Sequence, residues 1–490
     1  MKKIVFLAFA LLLTIATLAG PVTPQRAQSV ASTVLRTTAT ELQEVAREAG
    51  FEHLYCYNYA SEGRQGFVVV SGDDLLSPVI AFSEEGVMNP ATINPSVRWW
   101  LSQYDVVYDA AKGITPDAAV SQQWKDLENG IWASRSKREG VSSLLDGIKW
   151  GQGAPYNMFC PGNSVTGCVA TAFGQIMRYW KFPEHGWGSH SYTGEGKPIH
   201  YPNWTYGTLS VDYQNTYYDW EHMPKELYLN SSDTEKVAVA QLLYHIGVSL
   251  DMNYSPNGSG CWSLYEYSIA QGAGELDSMI GADKRIPRYF GYRYSYAGMR
   301  DSIGNDSIWT EMLYQSLAEG KPIYYAGWAV DTTSPTGYSP TDGHGFVMDG
   351  YRETAGIEYF RFNWGWNGSC DGWFMINKLT PRTGVGPNAY TYDFTRGHGA
   401  VIGLEPDSNY NGEHPYGVDP VLTQQGKVFG FDGRIFVRGA ENAMISVFDV
   451  MGRCVAHREK MSQGEWQCDV PRGLYVVRIG NARGMKVATF

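Results

Sequence analysis

Gly167-Cys168-Val169-Ala170-Thr171-Ala172-Phe173-Gly174-Gln175-Ile176-Met177-Arg178-Tyr179-Trp180 is the stretch from which the rest of the chain is best read. Val169, Phe173, Ile176 and Trp180 recur at helical spacing, Ala172 and Met177 flank them, and Pro183 stops the run. The pattern predicts a helix buried along one side, with Ser164 or Thr166 available to cap its start. Cys168 then stands in the first turn, where the helix dipole stabilises a thiolate, as a cysteine nucleophile requires. On the helix alone, a buried structural cysteine is an equally good reading, because Cys is small, soft and apolar.

A cysteine nucleophile needs a general base, itself oriented by a third group. In Asp342-Gly343-His344-Gly345-Phe346-Val347-Met348-Asp349-Gly350 a histidine lies between glycines at the start of an apolar run that reads as a strand. Glu358-Tyr359-Phe360-Arg361-Phe362-Asn363-Trp364-Gly365-Trp366 reads as a second strand. A hairpin centred between Glu353 and Thr354 sets His344 opposite Asn363, with Cβ atoms ~5 Å apart, close enough for an amide oxygen to meet an imidazole N–H. Without these partners His344 is a strand-end histidine with no role. Upstream, Trp150-Gly151-Gln152-Gly153 offers the Gln152 amide which, with the Cys168 backbone N–H, would form an oxyanion hole. Alone, Gln152 reads as a surface residue in a glycine-rich loop.

The whole chain has 490 residues, which suggests about three domains at ~150 residues each. Charged residues are 18%, aromatics 14%, and glycine is plentiful. Such a chain can bury a large core, which excludes intrinsic disorder as the main state. A formal charge of −11 argues against nucleic acid as a partner. Seven cysteines leave one thiol over after any full pairing. Lys2 and Lys3, the apolar run Ile4 to Leu18, and the small residues around Ala19 and Gly20 read as a secretory signal peptide.

From 21 to 138 the pattern is a small α+β unit: a helix over Thr37–Glu48, strands at Phe67–Ser71 and Pro78–Phe82, and a helix over Val97–Ala111. It ends in the polar stretch Arg135-Ser136-Lys137-Arg138-Glu139-Gly140, an exposed linker open to proteolysis. A Pro/Gly/Asn-rich linker, Pro406 to Pro420, precedes the last segment. Residues 423–490 carry ten basic and six acidic residues, a net +4, so the remainder is −15. Strands at Arg434–Val437, Met444–Val450, Gly473–Ile479 and Met485–Phe490, separated by turn residues, suggest a small β-sandwich. Cys454 and Cys468 stand fourteen residues apart around Gln463-Gly464, a spacing that allows pairing across a hairpin. No Cys-x-x-Cys and no phosphate-binding or dinucleotide fingerprint occurs, so neither cofactor nor metal is expected.

Taken together, Gln152 in Gln-Gly-Ala-Pro-Tyr-Asn, the run from Gly167 to Met177, Gly343-His344-Gly345-Phe346-Val347-Met348-Asp349-Gly350 and Asn363-Trp364-Gly365-Trp366 resemble the streptopain family of papain-fold cysteine peptidases, which includes the interpains. The resemblance covers about residues 50 to 405. It implies an α+β fold with a papain-like catalytic domain at 139–405, behind a signal peptide at 1–20 and an α+β inhibitory pro-domain at 21–138. It implies Cys168 as nucleophile, His344 as general base and acid, Gln152 as oxyanion donor, and Asn363 with Trp364 orienting and shielding His344. The family usually has Ala after the histidine, where this chain has Gly345. Gly66-Phe67-Val68-Val69-Val70-Ser71-Gly72-Asp73-Asp74 resembles the family's pro-domain, an intramolecular inhibitor, and the stretch ending at Arg138 is then a place for maturation cleavage.

Ile445-Ser446-Val447-Phe448-Asp449-Val450-Met451-Gly452-Arg453 and Pro471-Arg472-Gly473-Leu474-Tyr475-Val476-Val477-Arg478 resemble a type IX secretion signal domain, after a linker at 406–422. That implies the type IX machinery as a partner and passage through the periplasm to the outer surface or the medium. The expected activity is endopeptidase action on proteins and peptides, host proteins among them. A transglutaminase or other acyltransferase on the same Cys–His chemistry, and a non-catalytic surface-binding protein, are the alternatives.

Overall fold

The computed structural model describes residues 20–61, 63–105, 118–132, 138–193, 206–270, 280–303, 306–330, 338–376, 382–383, 390–391 and 397–412, and in the C-terminal segment 427–431, 433–438, 440, 443–449, 453–458, 465–479 and 485–489. The signal-peptide run Ile4–Leu18, the residues Arg135–Lys137 and most of the linker at 406–422 lie outside them. Among the described residues no helix is long and apolar enough to cross a membrane.

Helix α1 (Pro24–Leu35) opens the described chain. Thr23 caps it by accepting from the Arg26 N–H, Pro24 fills the first turn where a missing N–H costs nothing, and Arg36 ends it in the left-handed conformation. Its buried face is Ala27, Val30, Ala31 and Val34. The helix expected over Thr37–Glu48 is not formed. That segment holds a single turn at Ala39–Glu41, the edge strand β1 (Gln43–Glu44) and a short helix at Ala46–Ala49. Leu42 and Val45 alone give too narrow an apolar face, while strand β2 (Leu54–Ser61) offers Gln43 and Glu44 backbone partners. Strands β3 (Arg64–Ser71) and β4 (Val79–Ser83) fall where expected. Helix α2 (Pro95–Asp105) is the expected aromatic helix; the rest of its expected span, 106–111, lies outside the described residues. Helix α3 (Ala118–Glu128), which the sequence reading missed, packs beside α1.

Further along come helix α4 (Cys168–Trp180), helix α5 (Asp233–Ser249), strand β5 (Tyr296–Met299), helix α6 (Asp306–Ala318), and strands β6 (Ile323–Val330), β7 (Tyr338–Thr354), β8 (Ile357–Asn363), β9 (Gly372–Phe374) and β10 (His398–Ile402). All ten strands join in one antiparallel sheet ordered β1-β2-β3-β4-β9-β8-β7-β6-β10-β5. The seam is β4 against β9, with Phe82 opposite Trp373 and Ala81 opposite Phe374. The N-terminal unit and the central unit therefore share one sheet.

They also share one core. Trp100 of α2 meets Phe362 edge-on at 5.1 Å and stacks on His398 at 4.9 Å, with Phe346 and Trp364 alongside. Each large ring buried there contributes roughly 1.5–3 kcal/mol. A second core lies beneath α4 and α5, built from Phe173, Ile176, Leu242, Leu243 and Ile246.

The β7–β8 hairpin corrects the expected register. Its turn is Ala355-Gly356, both at positive φ (53° and 71°), and Thr354 pairs with Ile357. A two-residue left-handed turn fixes the register, and a bulge between Met348 and Gly350 shifts it once more, so Asn363 faces Val347 rather than His344. Ala-Gly is a weak hairpin signal beside Asn-Gly or Asp-Gly, which is why the turn was expected two residues early.

In the C-terminal segment, β11 (Lys427–Phe431), β12 (Arg434–Arg438) and β15 (Glu465–Asp469) form one sheet. The second is β13 (Ile445–Asp449), β14 (Cys454–Arg458), β16 (Gly473–Ile479) and β17 (Met485–Thr489), in the order β14-β13-β16-β17. Val428, Ile435, Val447, Val477 and Ile479 fill the space between. Cys454 on β14 and Cys468 on β15 are free thiols. The pairing that their spacing allows is not formed, because these strands belong to different sheets.

Candidate active site

The nucleophile's position is set by the start of α4. Gly167 precedes it at φ +88°, where a Cβ would lie 2.8 Å from Met252 Sδ and Cε. No side chain caps the helix, contrary to expectation. Thr166 Oγ1 is paired with Thr171 Oγ1 at 2.8 Å, and the Ser164 hydroxyl is buried without a partner. The N–H groups of Gly345 (3.4 Å), Val169 and Cys168 itself all favour a thiolate at Cys168 Sγ. Burial works against them and prevails, so the thiol pKa stands above its ordinary value.

His344 sits across the cleft on β7. Its Nε2 makes a long contact of 3.4 Å with the Trp364 carbonyl, which leaves Nδ1 as the nitrogen to exchange a proton with the thiol. Burial pulls the imidazole pKa down to about 4, against the opposing pull of that carbonyl. Both side chains keep some open area on the cleft floor, yet packed atoms surround them on most sides. With this packing, thiol and imidazole are both neutral at pH 7. The flanking glycines have a steric cause. A Cβ at Gly343 would lie 2.6 Å from the Trp328 ring, and one at Gly345 would lie 2.4 Å from Tyr324 Oη. The tyrosine hydroxyl fills the space an alanine methyl would need.

Gln152 is 8% exposed, and its Nε2 is buried without a hydrogen-bond partner. It lines the same cleft as Cys168. An unspent amide donor beside a thiol can stabilise a developing oxyanion.

Asn363 does not reach His344. Its Oδ1 accepts from Gln175 Nε2 (2.9 Å) and from the Gly365 N–H (3.0 Å), and its Nδ2 donates to the Ile148 carbonyl (2.7 Å). Its contact with the histidine runs through the backbone it holds, because the next carbonyl is that of Trp364. Gln175 in turn accepts from the Trp150 N–H at 3.1 Å, tying α4 to the loop that carries Gln152. The Trp364 ring is fully buried, so it lines the aromatic core, and Trp366 with Asn367 lines the cleft instead.

The cleft has a volume of about 750 Å³. Cys261, Tyr324 and Trp328 form part of its wall, residues the sequence reading passed over because loop 257–263 and β6 carry no motif. Pro95, Ser96 and Trp99 reach in from α2. The Trp99 ring lies against Gly327, where a Cβ would be 2.5 Å away. The Trp99-Trp100 pair thus divides its work, one ring in the cleft and one in the core. Among the described residues no group of three or more His, Cys, Asp or Glu side chains could hold a metal ion.

Residues 150–374 match the peptidase C10 family and residues 19–107 match the Spi protease inhibitor family. The chain is 31% identical over 452 residues to the thiol protease/hemagglutinin PrtT of Porphyromonas gingivalis, covering 87% of this chain and 46% of that one. It thus spans about half the length of that relative. It is 26% identical to streptopain of Streptococcus pyogenes over 377 residues, covering 73% of this chain and 82% of streptopain. A mutant fragment of prointerpain A from Prevotella intermedia superposes with a TM-score of 0.52 at 29% identity, covering 75% of this chain and 99% of the fragment.

Proposed function

The chain belongs to the peptidase C10 family by its central domain, with a Spi-type inhibitor segment before it, and on that premise we propose that it is the precursor of a secreted cysteine endopeptidase. Cys168 attacks a peptide carbonyl, His344 takes the thiol proton and returns it to the leaving amine, and water then hydrolyses the thioester. Gln152 Nε2 and the Cys168 N–H hold the oxyanion. Asn363 and Trp364 act together, the first fixing the backbone and the second presenting its carbonyl to His344. The observation that carries the reading is the convergence of the Cys168 thiol, the unspent Gln152 amide and His344 on one cleft.

The division at 21–138, 139–405 and 423–490 completes the proposal. The first unit inhibits: Pro95, Ser96 and Trp99 of its α2 reach into the cleft, and its β4 extends the catalytic sheet. Cleavage falls in the stretch ending at Arg138, whose guanidinium pairs with Glu311 and Glu358 and packs over Tyr314. The last unit directs type IX export to the outer surface or the medium; the quoted C-terminal motifs support it.

The test is casein hydrolysis and amine incorporation by the processed chain and its Cys168→Ala variant. Hydrolysis lost in the variant supports the peptidase. Amine incorporation without hydrolysis would favour the acyltransferase, and neither would favour a binding protein.

A further inference from the structure

We propose that Asp371 is a positioning residue for His344, acting through the backbone of Trp364. The two ends of that residue are used separately. Its N–H donates to Asp371 Oδ1 at 2.9 Å, and its carbonyl faces His344 Nε2 at 3.4 Å. The neighbouring Gly365 N–H is held by Asn363 Oδ1. The direction of the Trp364 carbonyl is therefore fixed from both sides, by Asp371 before it and Asn363 after it.

The turn from Trp364 to Asp371 cannot hold that direction by backbone preference alone. Gly365, Asn367, Gly368 and Cys370 all take positive φ, between 53° and 75°. Non-glycine residues in that region carry strain that surrounding contacts must offset. Asp371 closes the turn, with its own N–H donating to the Gly368 carbonyl at 3.3 Å.

The cost of Asp371 argues that it does more than close a turn. It is buried, and its Oδ2 has no hydrogen-bond partner. Leaving a buried carboxyl oxygen unmatched is unfavourable. Burial raises its pKa to about 7, with Arg361 of β8, the Trp364 N–H and Lys149 of the loop before Gln152 pulling down and Asp349 of β7 pushing up. Arg361, Lys149 and Asp349 are the charged groups it faces. The next residue, Gly372, starts β9, the strand that pairs with β4 of the N-terminal unit. Asp371 thus stands where that seam meets the histidine's support.

The mechanism is simple. When His344 becomes an imidazolium, the Trp364 carbonyl stabilises it through Nε2, and Nδ1 faces the thiolate. A loosened carbonyl destabilises the imidazolium. The pH window in which thiolate and imidazolium coexist then narrows from both sides. Substrate binding is little affected, because Asp371 does not line the cleft.

The inference rests on the peptidase reading, so the processed wild-type chain is measured in parallel. The rate of Cys168 alkylation by iodoacetamide is followed against pH, together with kcat and KM per titrated active site. Asp371→Ala is expected to narrow the window and lower kcat on the order of 10–100-fold, with KM within about twofold. Asp371→Asn keeps an oxygen for the Trp364 N–H and is expected to hold the window and stay within about threefold of wild type in kcat. An unchanged window in Asp371→Ala, or a narrowed one in Asp371→Asn, overturns the proposal. If the alanine variant does not fold, the asparagine variant alone decides by the same criterion. A wild-type chain that neither hydrolyses casein nor alkylates below pH 7 would instead overturn the peptidase reading.

Discussion

Helices α4 and α5 lie against each other and begin in opposite ways. At α5, Ser232 Oγ accepts from the Glu235 N–H at 3.3 Å and the Glu235 carboxylate accepts from the Ser232 N–H at 2.9 Å, a complete capping box. At α4, Gly167 offers no side chain and nothing caps the first turn. Every helix start presents the same unsatisfied N–H groups. One helix spends them on its own stability. The other leaves them beside Cys168 Sγ, forgoing about 1 kcal/mol that a cap supplies. Local rules are broken at the site of chemistry and obeyed at the far end of the neighbouring helix, whose C-terminal side meets Gly167 through Met252.

The contrast can be broken at several points, the largest effect first. Cys168→Ala at the open helix start should lower proteolysis on the order of 10³-fold or more, measured as kcat/KM on a peptide substrate. Gln152→Ala removes the other donor and should cost about 10²–10³ in kcat, with Tm unchanged. Acidification is the next lever. His344 titrates at about 4 in the packed precursor against an ordinary 6.5. The exposed ring accepts a proton that the packed ring refuses. The hold of the N-terminal unit therefore weakens as pH falls toward 4. Release of that unit, followed by native mass spectrometry, should be several-fold faster at pH 5 than at pH 7. Buried His398, whose pKa also stands well below the ordinary value, pulls the same way. Ser232→Ala should have the smallest effect: about 1 kcal/mol of stability in urea unfolding and no change in kcat.

How much could be read from the sequence differs between the same regions. The presence and buried face of α4 were legible, because Val169, Phe173, Ile176 and Trp180 give an unbroken apolar stripe. The lack of a cap was not, since Ser164 and Thr166 are good capping residues and only the fold turns them elsewhere. In the N-terminal unit α1 was missed. Its buried face is largely alanine and valine, a faint stripe beside the more conspicuous Leu42 and Val45. The candidate site was legible as residue types. His344 and Asn363 sit on adjoining strands as expected, but one bulge at Asp349 and a turn two residues later remove their direct contact. A register built from a turn and a bulge is a sum of local geometries that spacing cannot give. The cleft wall of Cys261, Tyr324 and Trp328 and the entry of Trp99 are long-range packing, for which no short motif exists.

Cys168 and His344 are assembled but held neutral while Pro95, Ser96 and Trp99 of α2 stand in the cleft wall. The rate of Cys168 alkylation by iodoacetamide, followed from pH 4 to 10 in the precursor and in the processed chain, tests it most directly. The precursor should react only as pH rises through the elevated thiol pKa, whereas the processed chain should show a reactive plateau below pH 7 from the thiolate–imidazolium pair. Superimposable profiles for the two forms would contradict the account.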